Sequence, residues 1–260
     1  MGMSYEEAID YVQNFMQDRP SKVKELALTD GIDRSHFSKD NIRCEVGFEH
    51  VLDYMQDFMS EPQLVFTDGV DRSRFAKDDI RCKAGLFWYA FAGGKFSSNP
   101  KAYPNCQGVV GWINPDPNAS EGDKVYIVLP EQACLKYSSE YCETGADDWY
   151  DGRTNTRKLL EYGKKRGVKF PAAEFAFNYT KNGVKKGEAF LPAREQLVRL
   201  CRKTKGLRKS LKMIGGKFEG WLVSSSEYSN FGAWFVNSNN GSVDYHLQNY
   251  NGSVSCIIAY

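Results

Sequence analysis

The chain has 260 residues, of which 42% are hydrophobic, 14% aromatic and 26% charged, with a formal net charge of +1. These values exclude an intrinsically disordered chain, and the near-zero charge gives no bulk pull toward nucleic acid. A chain of this length buries enough surface to fold without disulfides or metal. No apolar run reaches the roughly 18–20 residues of a membrane span, and the acidic N-terminus has no signal-peptide apolar region.

The first element is a repeat. TDGIDRSHFSKDNIRC (29–44) recurs as TDGVDRSRFAKDDIRC (67–82), with 12 of 16 positions identical at a period of 38. Each copy follows a helical pattern, IDYVQNFM (9–16) and LDYMQDFM (52–59). Val51, Leu52, Met55, Phe58 and Met59 fall on one apolar stripe. Residues 1–83 therefore read as a small two-unit module. Its stripes pack on each other or on other subunits, so a homo-oligomer through the repeats is a partner this pattern admits. The Asp-Gly pairs at 30–31 and 68–69 mark turns. Asp30, Asp33, Asp68 and Asp71 lack EF-hand spacing and sit beside Arg34 and Arg72, which reads as ion-paired turns.

From Gly85 the texture changes. LFWYAFAGG (86–94), GVVGWINPD (108–116) and KVYIVLP (124–130) are strand-like. A Pro/Asn/Gly/Asp loop lies at 115–123, and an acidic aromatic loop at 137–152. Three helical stretches follow at 155–166, 172–178 and 192–203, the last with Pro192 at its first position. After Gly215 short strands return. Strands, then helices, then strands make the class α+β. The seven cysteines, Cys44, Cys82, Cys106, Cys134, Cys142, Cys201 and Cys256, are odd in number and contain no CxxC. They read as reduced thiols, and no metal or cofactor is expected.

The last 43 residues contain no Lys or Arg. Residues 224–256 hold eight Ser, six Asn, three Tyr and three Gly. Tyr gives rigid amphipathic contact area, and Ser, Asn and Gly give adaptable hydrogen bonding, as in an antibody paratope. The other reading of this composition, turn formers at a β-rich edge, stays open. AWFVN (233–237) and SVDYHLQ (242–248) flank Asn240-Gly241, a hairpin signal. Asn251-Gly252 reads as a second turn, and SVSCIIAY as a strand ending buried in the sheet.

GVVGWINPD, DGRTNTRKLL, FPAAEFAFNY, GEAFLPAREQLVRL and GWLVSSSEYSNFGAWFVNSNNGSVDY…SVSCIIAY resemble C-type-lectin-fold proteins related to formylglycine-generating enzymes. More narrowly, they resemble the variable proteins of diversity-generating retroelements of gut bacteria and their phages. The resemblance covers residues 84–260 and not the repeat. It implies a C-type lectin-like domain with a variable region at about 224–256. In that family, miscopied template adenines turn AAC codons into NNC, which cannot encode Lys, Glu, Gln, Met or Trp. Glu227, Trp234 and Gln248 are then fixed scaffold, with Trp221 packed beneath. Tyr228, Asn230, Phe231, Phe235, Ser238, Ser242, Asp244, Tyr245, His246, Leu247, Tyr250 and Ser253 form the expected ligand face.

These readings make the chain a binding protein for a protein or cell-surface ligand, displayed on a phage virion or a bacterial surface. It is not expected to be an enzyme. No HExxH, GxSxG, P-loop or GxGxxG occurs. Cys256 stands alone in an apolar strand, whereas formylglycine generation in the related enzymes uses a reactive cysteine pair. An oxidoreductase of that type and an inert structural component are the alternatives. The calcium-binding motifs of true C-type lectins are not evident, so no calcium dependence is expected.

Overall fold

The computed structural model describes Phe66 and residues 68–260. The chain divides into two compact units between Gln63 and Leu64. The expected helices at 9–16 and 52–59, the first motif copy and any contact through them lie outside the described residues. The second motif copy is part of the larger unit, ahead of the expected boundary at 83/84.

That unit is α+β, built on one sheet. Its strands are β1 (Tyr89–Phe91), β2 (Lys95–Ser97), β3 (Cys106–Ile113), β4 (Val125–Lys136), β5 (Trp221–Ser229), β6 (Gly232–Asn237), β7 (Val243–Leu247) and β8 (Asn251–Ala259). They lie in the order β2-β1-β3-β4-β8-β5-β6-β7. All neighbours are antiparallel except β5 and β8, which meet in one parallel pair, Leu222 with Ser253. The C-terminal strand thus lies inside the sheet. Its unbroken apolar run fits that place, because both faces are covered there.

Alternation sorts the side chains into two cores. Val110, Ile127, Leu129, Val254, Cys256 and Ile258 join one, under α1 (Gly152–Arg166) and α2 (Pro171–Phe177). Val109, Tyr126, Val128, Ile257 and Ala259 join the other, under α3 (Arg194–Cys201) and α4 (Thr204–Met213). The Asp151 carboxylate caps α1 by accepting the Thr154 N–H, and the last turn carries Lys164, Lys165 and Arg166, which suit the helix dipole. Pro130 has no N–H for the ladder, and the β4–β8 register shifts between Val128 and Gln132 around it.

Three expectations change. The helix read at 192–203 begins only at Arg194, because the Pro192 carbonyl accepts the Ser225 N–H at 2.8 Å in an extended segment. A further helix, α4, follows it, seated by Leu207 and Leu211 one turn apart. Asn251-Gly252 is the start of β8 rather than a turn. Gly252 is there for close approach: a Cβ would lie 2.3 Å from the Phe235 ring.

The second motif copy is a clasp on the sheet. Arg72 forks onto Asp68 at 2.9 and 2.7 Å, and also donates to the carbonyls of Arg81 and Ala84. Arg81 is 1% exposed. Its guanidinium pairs with Asp79 through two contacts of 2.9 Å and reaches the carbonyls of Asn114 and Asp116. The Asp-Gly turn at 68–69 is therefore ion-paired through Asp68 and Arg72.

Candidate functional site

The β6–β7 hairpin forms one edge of the sheet. Gly241, at φ +73, turns the chain between its strands with a backbone that side chains rarely adopt. Trp234 pairs with Tyr245, Phe235 with Asp244, and Ala233 with His246. Residues of opposite parity therefore face opposite sides.

On one side lies a run of aromatic rings open to solvent. Tyr228, at the end of β5, stacks on Tyr245 at 4.2 Å and 16°. It meets Trp234 edge-on at 4.8 Å. Trp149, from the loop between β4 and α1, meets Trp234 edge-on at 6.5 Å. The Arg194 guanidinium lies 3.4 Å from the Trp149 ring centroid and 5.1 Å from that of Trp234. Offset-stacked and edge-on pairs hold the rings in fixed geometry. Tyr228, Phe231, Tyr245 and Leu247 are all 44–48% exposed. On the other side His246 is half-buried, stacked on Tyr250 at 4.9 Å and edge-on to Phe235 and Trp221 at 4.8 and 5.5 Å.

Of the twelve expected contact residues, Tyr228, Asn230, Phe231, Ser242, Asp244, Tyr245, Leu247 and Tyr250 are exposed. His246 and Ser253 are half-buried. Phe235 and Ser238 are fully buried, and their assignment to the face is corrected. Phe235 has the parity of Ala233, so it points into the core beside Val223 and over Gly252. The Ser238 hydroxyl accepts from Arg208 at 2.7 Å while its N–H donates to the Gly220 carbonyl, which fixes the hairpin loop inward.

Beneath the rings is a buried polar network. Glu227 accepts from the Thr144 N–H and hydroxyl, the Gly145 N–H and the Gln248 amide. The Gln248 side chain also donates to the Cys142 and Ser229 carbonyls and accepts the Cys142 N–H. Ser226 donates to the Asp148 carbonyl and accepts the Arg194 N–H. These bonds tie the acidic loop to β5 and to Gln248, which follows β7. Burial is the largest influence on the Glu227 carboxyl and holds its pKa above the ordinary value despite the bonds from Thr144 and Gly145. Trp221 and Trp234 are half-buried, at the inner margins of the two aromatic groups.

Sequence reasoning alone leaves out Trp149, Tyr150 and Arg194. Trp149 and Tyr150 are 42% and 57% exposed, and their signal is the aromatic density of a loop without apolar periodicity. Arg194 carries no signal of its own, since a helix N-terminal arginine does not announce two indoles.

The two most buried thiols lie in the core. Burial pushes the Cys201 thiol up to about 12 and holds the Cys256 thiol well above its ordinary value, so neither is a ready nucleophile. The six described cysteines are free thiols. Among the described residues no group of three or more His, Cys, Asp or Glu is placed to hold a metal ion, and no helix is long and apolar enough to cross a membrane.

No protein-family model and no curated protein matches the chain. A fimbrial protein from Bacteroides ovatus, known from a crystal structure, has a similar fold, with a TM-score of 0.54 over 67% of this chain at 15% identity. The chain spans about half of that protein's length, 48%. What the two share is a fold: a mixed α+β body on a large sheet.

Proposed function

We propose that this protein binds a protein or cell-surface ligand through the exposed rings around the β6–β7 hairpin, without catalysing a reaction. One observation carries the reading. Tyr228, Phe231, Val243, Tyr245 and Leu247 are large apolar residues left exposed within one short stretch, and Tyr250 adds an exposed ring on the other side beside His246. Contiguous exposed apolar surface of this kind marks interaction sites, and tyrosine anchors dominate binding energy at them. The domain is of the C-type lectin type and of the retroelement-diversified kind. Support comes from the division between swappable rings outside and Glu227 and Gln248 inside, where a change breaks a hydrogen-bonded network. Display on a virion or a bacterial surface fits the fold likeness to a fimbrial protein.

Sequencing the gene and its neighbourhood across related isolates tests this. Substitutions are expected to concentrate at the codons of Tyr228, Phe231, Tyr245, Leu247 and Tyr250, with Glu227, Trp234 and Gln248 unchanged. A reverse-transcriptase gene and a near-identical template copy are expected nearby. Changes spread evenly over the exposed residues of the domain, with no template copy, would refute it.

A further inference from the structure

Between Glu195 and Glu219 the chain has eight basic residues and no acidic one. Arg199 is paired with Asp123, and the Arg208 guanidinium is used up on the Phe218 carbonyl, Ser238 and Asn239. Arg202, Lys205, Lys209, Lys212 and Lys217 are exposed, and among the described residues none is within ion-pair distance of a carboxylate.

Three of them share a face of α4. Lys205, Lys209 and Lys212 stand at i, i+4 and i+7, while Thr204, Leu207 and Leu211 are buried on the other face. Like charges one turn apart weaken a helix. Lys205 also lies in the first turn, where the dipole disfavours a cation. A surface evolved for solubility alone would mix signs. Lys212, in the last turn, suits the dipole, but the placement of Lys205 and Lys209 brings folding no such gain, and a local rule broken without structural gain points to function. Next to Lys212, Met213 is 67% exposed, more than any other large apolar side chain described.

We propose that this face of α4 docks on an anionic lipid bilayer, with the three lysines on the headgroups and Met213 entering the acyl boundary. The charge complements anionic headgroups, and each lysine near such a surface contributes to attraction. Lysine is a point charge on a flexible stem, which suits a fluid array of phosphates. Nucleic-acid surfaces use stacking aromatics and forked arginines. Here Arg208 is spent, the free Arg202 lies outside α4, and the face carries an aliphatic thioether in place of a ring. The proposal is independent of the hairpin's role.

The test is co-sedimentation of the full chain with phosphatidylcholine vesicles, with and without phosphatidylglycerol. Binding is expected only to the anionic vesicles, falling as salt rises. The triple variant Lys205→Gln, Lys209→Gln, Lys212→Gln should lose on the order of 100-fold in partitioning. Met213→Ser should lose about tenfold. Both should melt as the parent does, and Lys164→Gln with Lys165→Gln on α1 should bind like it. Absence of binding to anionic vesicles, or equal binding by the triple variant, overturns the proposal. So does equally tight binding to duplex DNA that Met213→Ser leaves unchanged, or salt-sensitive self-association without vesicle binding.

Discussion

Glu227 is where the surface meets the core. Its carboxylate takes the Thr144 and Gly145 N–H groups and the Gln248 amide, so it holds the acidic loop against the hairpin. The cost of burying the charge outweighs those bonds, and the carboxyl pKa is raised from 4.5. The sign of the pH effect follows from linkage. Between the unfolded value and the raised folded value the native state binds more protons than the unfolded chain, so stability falls as pH rises through that window. Below the window the burial cost is absent, because the group is neutral in both states. Denaturation measured across the carboxylate range should show this descending component, and Glu227→Gln should remove it. Glu227→Ala should instead cost about 3 kcal/mol below the window, where the parent carboxyl is neutral, because it leaves several buried donors unpaired, and the loss should shrink above the window as the parent takes on the burial cost.

At the scale of elements, β6 and β8 depend on each other. Phe235 turns inward because Gly252 leaves room for its ring, and Val223 closes the same space. Gly252→Ala would put a methyl group 2.3 Å from that ring, so either the ring or β8 must move. Overpacking of this kind costs about 1–3 kcal/mol. Chemical denaturation should show that loss with an unchanged m-value, while Tyr245→Ser, on the open side of the same hairpin, should stay within about 1 kcal/mol. The pair explains what is legible in the sequence. The hairpin is, because Asn240-Gly241 sits between two alternating runs. The inward or outward sense of β6 is not. Trp234 and Phe235 are both large aromatic neighbours, and only the partner strand decides which one enters the core. Ser225 and Ser226 mislead in the same way. Their composition suits a contact surface, but their partners Asp148, Asn155 and Arg194 come from distant segments that no local pattern names.

The larger unit is closed by a segment whose role the repeat hides. Doubling announces a module, yet the second copy serves the larger unit, inserting Arg81 among the carbonyls of the β3–β4 loop. The α+β class is legible because apolar runs and helical stretches alternate in blocks. The clasp is not, because an arginine in a polar motif reads as exposed until its acceptors are known. The two copies differ at one telling position: the first has Asn41 where the second has Asp79. Asp79 is the charge partner of a guanidinium that is 1% exposed, and its own side chain is only 8% exposed. The Arg81 side chain, forked onto the Asp79 carboxylate, holds its pKa well below the ordinary range. Its contribution is therefore complete above the unfolded carboxylate value and is lost as pH falls toward the depressed folded value. Asp79→Asn gives the second copy the residue of the first and leaves a buried cation without its counter-ion. The expected loss is about 3 kcal/mol near neutral pH, the size seen when one partner of a buried pair is removed. It should shrink on acidification as the parent loses its own pair. Urea denaturation of parent and variant at neutral and acidic pH measures both. A variant as stable as the parent at neutral pH would mean that the carbonyls of Asn114 and Asp116 alone hold Arg81, and that the clasp does not depend on charge.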